Sequence, residues 1–151
     1  MLHLTIEFTL RLHSSPPKGF IKINFDGASK ANLDPLRAGG ILRDNMGQPI
    51  GFFMGPCGYT TNNVAKLTAL ERALKLARRM NLHKIQISGY SELVIKAIQR
   101  IIHGAPVKKV ICIWRLEAHS SHIKYLLLSL PYVITTHTRQ EGNKIVDWLA
   151  N

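Results

Sequence analysis

The chain has 151 residues, 46% of them hydrophobic and 19% charged, which suits one domain with a single buried core and excludes wholesale disorder. Twenty Lys and Arg against nine Asp and Glu leave a formal charge of +11. That balance favours an anionic partner, nucleic acid before an acidic membrane surface. Two cysteines, Cys57 and Cys112, form no CxxC pair and argue against a disulfide framework. No apolar run reaches the roughly 18 residues of a membrane span. The opening MLHLTIEFTLRLHSS interrupts its apolar residues with His3, Glu7, Arg11 and His13, unlike the core of a secretory signal. An intracellular setting, nucleus or cytoplasm, is therefore expected.

Residues 2–12 alternate, with Leu2, Leu4, Ile6, Phe8, Leu10 and Leu12 on one side, as a strand does. The SSPP tract at 14–17 then intervenes, so residues 1–15 read as an extension with a candidate edge strand and 16–151 as the domain. FIKINFDG alternates again, with Ile21, Ile23 and Phe25 opposite Lys22, Asn24 and Asp26. AGGILRDNMGQPIGFFMG reads as two strands joined by a turn at Asp44–Gly47. The strongest helix is TNNVAKLTALERALKLARRM. Asn62 or Asn63 is expected to cap it, Val64, Leu67, Leu70, Leu74 and Ala77 form its apolar stripe, and Arg78 and Arg79 suit its C-terminal dipole. KIQISGYSELVIKAI predicts a strand at 84–88 turning straight into a helix at 91–102, with Tyr90 at the tip. PVKKVICIWRLEAHSSHIKYLLLSL reads as helical at both ends, YVITTHT as a strand and NKIVDWLA as a closing helix. The order predicts an α/β fold whose five-stranded mixed sheet has three antiparallel strands followed by parallel crossovers, flanked by helices.

Four strings on these elements carry a resemblance: KINFDGASK (22–30), TNNVAKLTAL (61–70), ISGYSELVI (87–95) and HTRQEGNKIVDWLAN (137–151). Together, over about residues 16–151, they resemble the ribonuclease H fold, and specifically the reverse-transcriptase-like ribonuclease H domains abundant in plant genomes. That family cuts the RNA strand of RNA–DNA hybrids with two divalent metals, usually magnesium, held by four carboxylates. Two such cations, about 4 Å apart, activate a water and stabilise the leaving oxygen, and they demand oxygen ligands. The resemblance places the first acid at Asp26 and the fourth at Asp147, with His137 matching a histidine thought to help turnover. At the second and third acid positions this chain has Lys66 and Tyr90.

Neither substitution is conservative. Asp26 and Asp147 with a charged Lys66 sum to −1 where an intact quartet carries −4. A phenol with a pKa of about 10 does not replace a carboxylate at neutral pH. Glu71 and Glu92 are the nearest other acids in the chain, and neither is well placed to substitute. The expectation is a degenerate metal site with magnesium binding weakened or lost, in which Lys66 pairs with Asp26 and Asp147 and Tyr90 covers the site or stacks on a sugar or base; drift after loss of catalysis accounts for both substitutions equally well. Substrate-gripping positions survive better. The resemblance implies that Gly27, Ala28, Ser29, Asn62 and Asn63 approach the minor groove of the hybrid, though helix capping explains Asn62 and Asn63 equally well.

The expected partner is nucleic acid, RNA–DNA hybrid or duplex RNA, with no membrane and a monomeric chain favoured. Two alternatives stand beside it: a working magnesium-dependent hybrid ribonuclease, and a non-catalytic protein-interaction module or retroelement remnant. Phosphates would be met by some of Lys30, Arg72, Lys75, Arg78, Arg79, Lys108 and Lys109. His119 and His122 read as surface or structural histidines. Cys57, Cys112, Phe52, Phe53 and Trp114 read as core.

Overall fold

The alternation in FIKINFDG has a direct structural outcome. In the computed structural model, which describes residues 8–11, 16–28, 35–89, 92–103 and 117–138, Ile23 and Phe25 are buried among helices while Lys22, Asn24 and Asp26 lie on the opposite face of their strand. The strands are β1 (Phe8–Arg11), β2 (Ile21–Ala28), β3 (Leu36–Arg43), β4 (Pro49–Gly58), β5 (Lys84–Gly89) and β6 (Tyr132–Thr138). The described helices are α1 (Asn62–Arg79), α2 (Glu92–Ile102) and α3 (Glu117–Leu128). The sheet runs β1-β6-β5-β2-β3-β4. β2, β3 and β4 pair antiparallel, whereas β5 joins β2, and β6 joins β5, in parallel.

The expected five-stranded mixed sheet is therefore present, and β1 adds a sixth strand, parallel to β6 at that edge. The β3–β4 hairpin closes where the turn residues predict. The Asp44 carbonyl accepts from Gly47 N, its carboxylate accepts from Met46 N and Gln48 N, and Gly47 supplies the positive φ the turn requires. No described helix is long and apolar enough to cross a membrane.

α1 packs over β2 and β3 with Leu67, Leu70, Ala73, Leu74 and Ala77 buried. Its start differs from expectation. Thr61 caps it, the hydroxyl accepting from Val64 N, and Asn62 and Asn63 are the first two helical residues. A threonine one position earlier supplies the same oxygen geometry, so the run TTNN left the choice open. α1 ends in a left-handed cap. Asn81 has φ +57°, Asn81 N donates to Arg78 O, and Leu82 N donates to Ala77 O. The three described helices share one face of the sheet, joined by Ile85 and Ile87 of β5 and Val133 of β6 in a single core. Segment 104–116 and the closing NKIVDWLA, read as helical from sequence, lie outside the described residues.

Candidate nucleic-acid interface

β2, β5 and β6 are parallel, so their carboxyl ends reach one edge of the sheet, where side chains from separate strands meet. Asp26 lies near the end of β2, and β5 reaches Gly89 opposite His137 of β6. Asp26 is only 2% exposed, so its charge depends on what surrounds it. Lys66 provides a counter-charge. Its Nζ lies 3.6 Å from Asp26 Oδ1 and donates to the Gly27 carbonyl at 3.3 Å.

The backbone sets this contact. α1 crosses β2 so closely that a Cβ on Gly27 would run into the backbone of Ala65. Only glycine permits that approach, and it seats residue 66 of the helix directly against the carboxyl end of β2. At this separation the gross Coulomb attraction is on the order of 4 kcal/mol at an effective dielectric of about 20, before desolvation is subtracted. The predicted pairing of Lys66 with Asp26 is thus present in the structure. Asp147, Tyr90 and Ser29 lie outside the described residues, as do Lys30, Lys108, Lys109, Cys112 and Trp114.

Metal chemistry fits this part of the site poorly. A divalent ion needs several convergent oxygens, but the Asp26 carboxylate faces an ammonium where the next ligand would stand. Two other described acids are engaged elsewhere. Glu71 accepts from Lys75 at 3.0 Å and meets His122 Nδ1 at 2.9 Å, tying α1 to α3. Glu92 pairs with Lys96 at 2.8 Å on the surface. Among the described residues no group of three His, Cys, Asp or Glu could hold a metal ion.

The groove positions separate into two kinds. Gly27 serves packing, as above. Asn62 and Asn63, relieved of capping by Thr61, open α1 with side chains exposed and half-exposed, able to offer amides to a ligand. Ala28 pairs with Arg37 across β3, which brings a guanidinium-bearing residue to the rim of the site. Several basic residues expected at phosphates have protein partners instead. Arg72 Nη2 donates to the Pro56 carbonyl at 3.0 Å, Lys75 holds Glu71, and Arg78 lies 5.2 Å from the Tyr125 ring centre.

Phe53 is partly buried against the core, as expected, and Cys57 packs beside it. Burial pushes the Cys57 thiol above its ordinary pKa, with Arg72 acting weakly in the other direction. Phe52 corrects the sequence reading: it is 69% exposed. Adjacent residues on a strand face opposite ways, and on the edge strand β4 only the Phe53 side packs inward.

Residues 24–151 match the family model described as reverse transcriptase-like. A protein of Arabidopsis thaliana that carries the provisional name of ribonuclease H protein is 29% identical over 138 residues, 91% of this chain and 21% of that protein. A ribonuclease HI of Streptomyces coelicolor is 47% identical over 49 residues, 32% of this chain and 21% of its own length. The chain thus spans about a fifth of each of these relatives. Among solved structures, the RNase H1 of the archaeon Halobacterium salinarum is similar with a TM-score of 0.73 and 27% identity, over 87% of this chain and 95% of that one. LC11-RNase H1, isolated from compost by a metagenomic approach and solved in complex with RNA/DNA hybrid, has a TM-score of 0.70 and 25% identity over 87% and 94% of the two chains.

Proposed function

Because the chain belongs to the reverse transcriptase-like family and has the ribonuclease H fold, we propose that it is a nucleic-acid-binding domain for RNA–DNA hybrid or a related duplex, with little or no hydrolysis of its own. The observation that carries this reading is the Lys66 ammonium, 3.6 Å from Asp26 Oδ1 at the carboxyl end of β2. It neutralises the buried acid with a fixed cation, so the fold does not need a metal there, and it repels one that approaches. By motif, Asp147 adds a second carboxylate, Tyr90 stands in a third acid's place and His137 keeps its family position. Tyr90 then serves as a cover or as a surface on which a sugar or base stacks.

Binding in this reading rests on shape and backbone. The amides of Asn62 and Asn63 and the small residues Ala28 and Ser29 meet the minor groove, where 2′-hydroxyls distinguish RNA from DNA. The net charge of +11 supplies the sequence-independent attraction to phosphate.

A labelled RNA–DNA hybrid, incubated with the wild type and with the Lys66→Glu/Tyr90→Asp double variant in magnesium or manganese, tests this. The wild type is expected to bind with an affinity that falls steeply with salt and to leave the RNA intact. The double variant is expected to gain metal-dependent cleavage. Cleavage by the wild type would establish a working ribonuclease in place of this reading. Absence of binding even at low salt would leave the protein-interaction alternative. A double variant that stays inactive would count against a site disabled only at those two positions.

A further inference from the structure

On the face of the sheet turned away from the described helices, β4 exposes an apolar row: Ile50 at 37%, Phe52 at 69% and Met54 at 49%. A natural edge strand normally carries charges on such a face, yet residues 49–58 contain none. The neighbouring strand supplies charge of one sign only. Arg37, opposite Pro56, and Arg43, opposite Pro49, stand at the two ends of the row on β3, and neither β3 nor β4 contains an acid. The nearest acid in the chain, Asp44, accepts two backbone N–H groups of its own turn.

The row continues into the candidate site. Phe52 pairs with Ile41, which pairs with Asn24; Met54 pairs with Gly39, which pairs with Asp26. With strands about 4.8 Å apart, Phe52 and Met54 stand roughly 10 Å from the β2 column that holds Asp26. We propose that the Phe52 face of β3 and β4, bounded by Arg37 and Arg43, is a platform for an unpaired nucleic-acid strand leaving the duplex, with Phe52 stacking on a base and the two arginines meeting phosphates. The inference rests on the nucleic-acid reading above. An exposed aromatic between cations fits a polyanion whose bases offer flat faces. A second copy of this chain fits less well, since face-to-face packing would oppose two sets of arginines on proteins that each carry +11.

Fluorescence anisotropy with short labelled oligo(dT) and oligo(U), alongside a blunt RNA–DNA hybrid, separates the possibilities. Phe52→Ala, at an exposed position, is expected to keep the native circular dichroism, to weaken single-strand binding about tenfold, and to leave hybrid binding within about twofold. Phe52→Trp is expected to restore the affinity and Phe52→Leu not to. Arg37→Gln is expected to reduce the salt dependence of single-strand binding. Unchanged single-strand affinity in Phe52→Ala, or full rescue by Phe52→Leu, would overturn the platform while hybrid binding kept the broader reading intact. A wild-type dimer in sedimentation that Phe52→Ala dissolves would assign the face to a second copy instead. Loss of all nucleic-acid binding by the wild type would end both proposals.

Discussion

The two faces of the sheet are made by the same strands and follow opposite chemistry. Toward the helices, Ile23, Phe25, Ile85 and Ile87 join the apolar core, and a polar contact stands beside them where Thr135, opposite Ile87, accepts from Gln99 of α2. On the other face, the polar Lys22, Asn24, Asp26, Gln86, Ser88 and Thr136 are as deeply buried, at 4% exposure or less, beside Ile41 and Ile134. Gln86 Nε2 donates to Thr136 Oγ1, and Asp26 meets Lys66 across the end of its strand. The helix face is held by contact area, which tolerates any well-shaped apolar side chain. The polar face is held by matched partners, so it is sensitive to which partner is removed.

The difference can be broken from either side. Ile87→Ala on the helix face is expected to cost most, about 3–4 kcal/mol in urea denaturation, with no effect on nucleic-acid affinity beyond that of lost stability. On the polar side, Lys66→Ala removes the ammonium that lies 3.6 Å from the buried Asp26 carboxylate. The expected loss is about 2 kcal/mol, below the cost for a wholly buried pair because Lys66 keeps 17% exposure. Lys66→Met would retain the aliphatic packing and isolate the charge contribution. If Lys66→Ala proved neutral, the ion pair would not be what compensates Asp26. The smallest effect belongs to the margin of the helix face. The raised Cys57 thiol is mostly protonated at pH 8, so iodoacetamide should modify it a few-fold more slowly than a cysteine in an unstructured peptide, and the rate should rise as pH passes the ordinary thiol range.

Legibility followed the same division. Strict alternation in FIKINFDG and a helical stripe in α1 specify burial locally, so the strand order, the hairpin and the helix were readable. Thr61 was not singled out because three adjacent residues offer equivalent capping oxygens. Phe52 was misread because the strand period puts the two phenylalanines on opposite faces, and only the position of β4 at the sheet edge leaves one of those faces exposed. The ion pair of Asp26 with Lys66 joins residues far apart in the chain, and no periodicity reports such a meeting. Motif order pointed to it, and the Gly27 contact explains it. Gly27 looked like a ligand-facing residue, whereas its lack of a Cβ serves the approach of α1.

That approach has an evolutionary corollary. Because α1 meets β2 at Gly27 through the backbone and methyl group of Ala65, the place of residue 66 is set by the chain path and owes little to its own side chain. Lysine and glutamate codons differ only at their first base. A carboxylate could therefore return to this spot in one mutational step, into a scaffold already shaped to hold it against Asp26.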